Sequence, residues 1–140
     1  MIVGHGDIAS VLIDRPDRLY FAAGVSNSSE ARESEYRREI DLLLAQDRAA
    51  HLIYFSSLCV FHSPHTRYAV HKRGMEALVK VVFARHTIVR LGNITWGDAN
   101  VHTLINHLRE RRRLGLPLEI QDVYRYIVDG DELLHWLSMI

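Results

Sequence analysis

Four short apolar runs, at residues 1–3, 19–23, 52–56 and 87–91, alternate with longer helix-patterned segments at 31–44, 65–83 and 101–112. Runs of that length between turn-forming residues read as strands. Strands alternating with amphipathic helices argue for a parallel sheet with helices on both faces. A shorter first helix follows residues 1–3 and ends before Pro16, whose ring breaks a helix. Ser28 or Ser29 is the expected N-cap of the 31–44 helix, which carries acidic residues early. Toward the C-terminus, residues 118–120 and 124–128 read as short strands and 131–137 as a helix. At 140 residues the chain has the length of one domain able to bury a real core.

Seventeen basic residues against seventeen acidic ones leave no bulk bias toward nucleic acid or an anionic membrane, and neither is an expected partner. The one cysteine, Cys59, falls at the expected end of the third strand and cannot form an internal disulfide. With no leader pattern and no apolar run of membrane-spanning length, a cytoplasmic location is the expectation. Nine histidines raise the question of a metal. His62, His65 and His71 lie near Cys59, but their spacing crosses Pro64 and fits no closed zinc site, so no metal is expected. The basic run at 109–113 reads as the solvated end of a helix, favoured there by the helix dipole; a phosphate clamp is the sharper alternative. No aromatic residues interleave with it as in a nucleic-acid surface.

The chemistry-bearing residues sit in the middle of the chain. The run Leu52-Ile53-Tyr54-Phe55 breaks into Ser56-Ser57, and Tyr68 and Lys72 follow at i and i+4 on the next helix. Residues so spaced share a helix face, so a lysine charge can act on the tyrosine hydroxyl and favour its phenolate. A serine at the strand end can bond the same substrate oxygen, which makes Ser57, Tyr68 and Lys72 a candidate proton-transfer set. Taken singly, each has a plainer role as strand terminator, packed aromatic or solvated lysine.

A second candidate site opens the chain. Gly4-His5-Gly6-Asp7-Ile8-Ala9 follows the first strand and enters the first helix. Glycines so placed permit a tight turn and close approach of a pyrophosphate to the backbone, and a small residue at Ala9 lets helix and strand pack closely. A glycine-rich turn without ligand is the competing interpretation.

Together these segments resemble the extended branch of the short-chain dehydrogenase/reductase superfamily, which includes NAD-dependent sugar-nucleotide epimerases, dehydratases and reductases. The resemblance runs over nearly the whole chain: the glycine loop, Ala22-Ala23-Gly24 at a strand end beside the cofactor, Ser57, the Tyr68–Lys72 pair, residues 89–94 with Asn93 near nicotinamide and substrate, and the late segment 125–131. It implies a single minimised Rossmann-like, doubly wound domain over residues 1–140, with a vestigial substrate-side region at about 95–130. NAD or NADP would be held by Gly4, His5, Gly6, Asp7, Ile8, Ala22, Ala23, Gly24, Tyr68, Lys72 and Asn93. Substrate would be held by Ser57, Asn27, Asn93 and Arg125. The implied activity is oxidation, reduction or epimerisation at a hydroxyl-bearing carbon, in a sugar nucleotide, with Tyr68 moving the proton. The helices at 30–46 and 65–83 would pair across a two-fold axis in a homodimer.

The chain departs from that pattern in one place. A usual member has two further strands between the glycine loop and the Ala22-Ala23-Gly24 strand, and here residues 14–18 join them directly. The acidic or basic residue that would select NAD or NADP cannot be assigned; Asp14 and Asp17 qualify by sign alone. A catalytically inactive Rossmann-like binding or assembly module is therefore the alternative to the enzyme.

Overall fold

The computed structural model describes residues 1–98, 100–119 and 122–140. Four strands, β1 (Ile2–Val3), β2 (Arg18–Phe21), β3 (His51–Ser57) and β4 (His86–Leu91), form one parallel sheet in the order β1-β2-β3-β4. They are joined by α1 (Asp7–Val11), α2 (Glu33–Leu44), and the pair α3 (Cys59–His62) and α4 (Arg67–Val82). Beyond the sheet come β5 (Asn93–Ile94), α5 (Leu104–Arg113), β6 (Ile127–Val128) and α6 (Gly130–Ser138), with β5 and β6 paired in parallel.

The central strands carry apolar side chains in both directions, as a sheet covered on two faces requires. Leu19, Phe21, Leu52 and Tyr54 pack toward Leu43 of α2 and toward Met75, Val79 and Phe83 in and just after α4. Tyr20, Ile53 and Phe55 point the other way, toward Leu133 and Leu137 of α6 and the apolar side of α1. Each such side chain, fully buried, is worth about 1.5–3 kcal/mol of transfer free energy. Arg18 closes the second layer: its guanidinium donates to the carbonyl of Leu137 at 2.6 Å and to that of Ile140, where α6 has run out of internal donors.

All three crossovers step across the sheet in the same direction, yet α1 packs on one face and α2 and α4 on the other. The first crossover therefore has the opposite hand from the next two. Parallel crossovers share one hand in about 98% of cases, so the β1–α1–β2 unit is the exception here. It is also thinly paired, through Ile2↔Tyr20 and Val3↔Phe21.

Three local expectations need correction. Neither Ser28 nor Ser29 caps α2: the helix starts at Glu33, and the Glu30 carboxylate accepts from the Ala31 and Arg32 amides just before it. The apolar stretch after Ser57 does not prolong β3. Cys59 and Phe61 lie in α3, because Leu58 donates the last bond to Leu91 and the chain then coils, burying Val60 and leaving Phe61 exposed. The strand expected at 124–128 is confined to Ile127–Val128, since residues 122–126 are irregular and exposed. Residue 120 of the strand expected at 118–120 lies outside the described residues, and Leu118 and Glu119 are irregular. Among the described residues no helix is long and apolar enough to cross a membrane.

Candidate active site

In a parallel sheet every strand delivers its carboxyl end to the same edge, which is where open α/β sheets take ligands. That edge collects Gly4–Gly6 after β1, Ala22–Asn27 after β2, Ser57 at the end of β3 and Gly92–Asn93 after β4. Helix α4 adds Tyr68 and Lys72 from its first two turns, and its start is capped by Thr66, whose hydroxyl accepts from the Ala69 amide at 3.2 Å.

The three residues expected to act together do meet, though not with the expected electrostatics. Tyr68 is buried against Val25, Tyr36 and Cys59, with Ser57 on the side of its phenol. Ser57 also accepts from the Cys59 amide at 3.2 Å. The Lys72 ammonium lies 5.7 Å from the centroid of the Tyr68 ring. Instead of being activated, the Tyr68 hydroxyl is held above the ordinary tyrosine range. Burial is the main cause, Cys59 and Glu39 add to it, and the neighbouring Ser57 hydroxyl works against it.

The Lys72 charge, meanwhile, is taken up by a carboxylate that the spacing did not mark as a candidate. Glu39, fully buried on the inner face of α2, accepts from Lys72 Nζ at 2.9 Å and from the Tyr54 hydroxyl at 2.7 Å through Oε1. Through Oε2 it accepts from the Val25 amide at 2.7 Å and contacts His71 Nε2 at 2.9 Å. Burial alone would raise its pKa. The Lys72 charge and the bonds from His71, Tyr54 and Val25 outweigh burial and hold it well below the usual carboxylate range. Lys72 is 2% exposed, donates also to the Tyr54 hydroxyl at 3.2 Å, and lies directly beneath Gly24, where a Cβ would come within 2.6 Å of Nζ. The sequence does carry a signal for this: Tyr36, Glu39 and Leu43 fall on one helical stripe, and a carboxylate in a buried stripe demands a cation. A second carboxylate cluster lies beside it, with Glu76 bound by Ser56 at 2.7 Å and by both ends of the Arg90 guanidinium.

The glycine turn is equally occupied by the chain itself. Gly4 has φ +117°, and a Cβ there would stand 2.5 Å from the Ala22 carbonyl, so this glycine serves the packing of two loops. His5 is exposed, and Ile8 packs into the α6 side of the core. Asp7 is buried, and its carboxylate accepts from the Asn100 amide at 3.1 Å. Of the residues expected to touch substrate, Asn27 accepts from the Ser29 amide in a local turn and Asn93 donates to the Tyr126 carbonyl at 3.3 Å. Arg125 stands in the exposed segment before β6. Among the described residues no group of three or more His, Cys, Asp or Glu side chains could hold a metal ion. A small, partly open pocket of about 50 Å³ lies away from this edge, lined by Leu12, Tyr20, Leu137 and their neighbours.

No protein-family model matches the chain, and no curated protein matches it. Among solved structures it is similar to the capsular polysaccharide assembling protein CapF from Staphylococcus aureus, with a TM-score of 0.57 at 15% identity. The match covers 87% of this chain but only 35% of that one, so the chain spans about a third of its structural neighbour. At that identity the likeness speaks for the fold: a parallel α/β sheet flanked by helices, of small Rossmann-like type.

Proposed function

We propose that this chain is a Rossmann-like binding or assembly module that does not carry out nicotinamide-dependent hydride transfer. The observation that supports it best is the Lys72–Glu39 pair. A lysine that serves a dinucleotide has to present its ammonium to the ligand and lower the phenol beside it. Here the ammonium is 2.9 Å from a buried carboxylate, inside the core. NAD or NADP fits the remaining residues poorly as well. The turn after β1 leads into a five-residue helix whose first position is a carboxylate, and a phosphate would meet like charge there. No strand lies beyond β1 in the described sheet to hold an adenosine.

The contact of Tyr68 with Ser57 favours a second reading, an oxidoreductase or epimerase acting on a hydroxyl or keto carbon of a sugar nucleotide. In that reading the phenol would exchange a proton with a substrate oxygen that Ser57 orients, and Lys72 would first have to leave Glu39. Titration with NAD and NADP in both redox states, followed by thermal unfolding, separates the two. The module should show no saturable rise in melting temperature up to millimolar nucleotide. A bound ligand at a hundred times its Kd would add about 2.7 kcal/mol of stability, so a saturable rise would reverse the assignment in favour of the enzyme.

Self-association belongs to the same proposal. The apolar stripe of α2 is spent on the core, and its outer face is polar, with Arg37, Arg38 and Asp41. Helix α4 keeps Val70 and Val81 on its outside, 52% and 85% exposed. A two-fold contact through that face predicts a dimer in sedimentation equilibrium, and Val81→Asp should shift it to monomer. A monomeric wild-type chain at tens of micromolar would refute it.

A further inference from the structure

The chain after β5 crosses the edge where a ligand would enter. Trp96 donates its indole N–H to the Asp7 carbonyl at 2.6 Å. Gly97 has φ +78°, and the space a Cβ would fill there is taken by the Asp7 carboxylate. The Asn100 amide donates to the other oxygen of that carboxylate, and the Asn100 side chain donates to the Ser26 carbonyl at 3.3 Å, beyond the end of β2. Asn100 thereby joins the loop after β1 to the loop after β2. From behind, Asn106 in the first turn of α5 donates to the carbonyls of Gly97 and Asn100 at 3.2 and 3.0 Å.

We propose that Asp7 is a latch that holds this segment as an internal strap across the carboxyl ends of β1 and β2, closing the crevice from within. The argument is one of bonds made. The Trp96 indole and the Asn100 amide reach Asp7 across 89 and 93 residues of sequence, and the Asn100 carboxamide reaches Ser26 across 74. Buried polar groups carry such bonds at a cost if they are broken. The strap is therefore a preferred state and not a loop resting on the surface. Asp7 thus becomes the residue that determines whether the edge is open. The inference stands on these contacts and is compatible with either functional reading: a module keeps the strap shut, and an enzyme would have to release it.

Trp96 supplies its own probe. In a Trp136→Phe background, Trp96 is the one tryptophan of the chain, and its emission maximum and acrylamide quenching report the strap without any ligand. Asp7→Ala should red-shift the emission and raise the quenching constant at least twofold. The Asn100 amide should lose at least tenfold of its hydrogen-exchange protection, while the β3 amides keep theirs. Asn106→Ala, which leaves α1 untouched, should do the same from the other side, so a failure of the Asp7 variant to fold does not end the test. Combining the two should add little, since both release one strap. Unchanged quenching and unchanged Asn100 protection in Asn106→Ala would overturn the proposal. So would a wild-type Asn100 amide that exchanges at the unprotected rate. A nucleotide that binds the wild-type chain would instead count against the module reading, and would leave the Trp96 result where it stands.

Discussion

Replacing Glu39 by Gln tests the core of the functional reading, because it strips the counter-charge from Lys72 and changes almost no volume. In the variant the ammonium keeps the Tyr54 hydroxyl at 3.2 Å and a neutral amide oxygen, in a site where Lys72 is 2% exposed. Breaking a buried pair by removing one partner costs about 3–5 kcal/mol. Domains of this kind have roughly 5–15 kcal/mol in all. The reverse substitution, Lys72→Met, should cost less, about 2–3 kcal/mol, because Glu39 retains the Tyr54 hydroxyl, the Val25 amide and His71. The double variant should cost well below the sum of the two single costs, since it removes both charges together and leaves neither uncompensated.

Urea unfolding followed by far-UV circular dichroism measures this directly. With a slope of roughly 1.5–2 kcal/mol/M, Glu39→Gln should lower the midpoint by roughly 1.5–3 M. Contacting groups show coupling of about 0.5–3 kcal/mol in such cycles, and this pair should sit at the upper end. Single effects that add within about 0.5 kcal/mol, or a Lys72→Met variant as stable as the wild type, would refute the reasoning. The ammonium would then be free for a ligand, and the enzyme reading would regain its lysine.

Glu39 also sets an acid limb. Its carboxyl is held below the unfolded value of 4.5, so its stabilisation is full above that pH and is lost as pH falls toward the native value. Urea midpoints at pH 7, 4.5 and 3 should fall for the wild type, and the fall should be smaller for Glu39→Gln/Lys72→Met. Tyr68 and Tyr54 are both raised above 10, so their contribution is full below pH 10 and is lost as pH climbs through the native values. Tyr68→Phe should flatten that alkaline decline and cost about 1 kcal/mol at pH 7, read from the same unfolding curves. Arg18→Ala should cost about 1.5–3 kcal/mol through the lost bonds to Leu137 and Ile140, and hydrogen exchange should show α6 opening first.

The fold was legible because its strands are marked by apolar runs and their faces by alternation. β3 came within a residue of its observed limits, and α4 and α6 came close to theirs, since a central strand and a packed helix write their periods into the chain. What failed were signals that other groups can supply. The serines before α2 do not cap it because Glu30 orders the turn at Ala31 and Arg32 and the helix starts only after that, at Glu33, with no side-chain cap. The apolar stretch after Ser57 could coil because Val60 alone needed burial. The site was half legible. Spacing put Tyr68 and Lys72 on one face and the strand end put Ser57 beside them, but spacing is silent about what else reaches a lysine from a neighbouring helix. Glu39 lies 33 residues away and Asn100 93 residues from Asp7, and no local period connects either pair.

The opposite hand of the first crossover explains why the strap and the latch belong together. With α1 on the α6 side and β1 held at the sheet edge by two residue pairs, little sheet bonding fixes the glycine turn in place. Trp96 and Asn100 supply that fixing, one through the Asp7 carbonyl and the other through its carboxylate. The edge that a ligand would use is thus spent on attaching the β1–α1 unit. Opening it for a dinucleotide would loosen that unit as well. Substitutions that release the strap should therefore weaken the protection of Ile2, Val3 and the α1 amides along with that of Asn100, while β3 stays closed. If Asp7→Ala frees Asn100 but leaves the β1 and α1 amides as slow to exchange as in the wild type, the edge is held by something other than the strap, and closing the crevice is a separate matter from holding the fold.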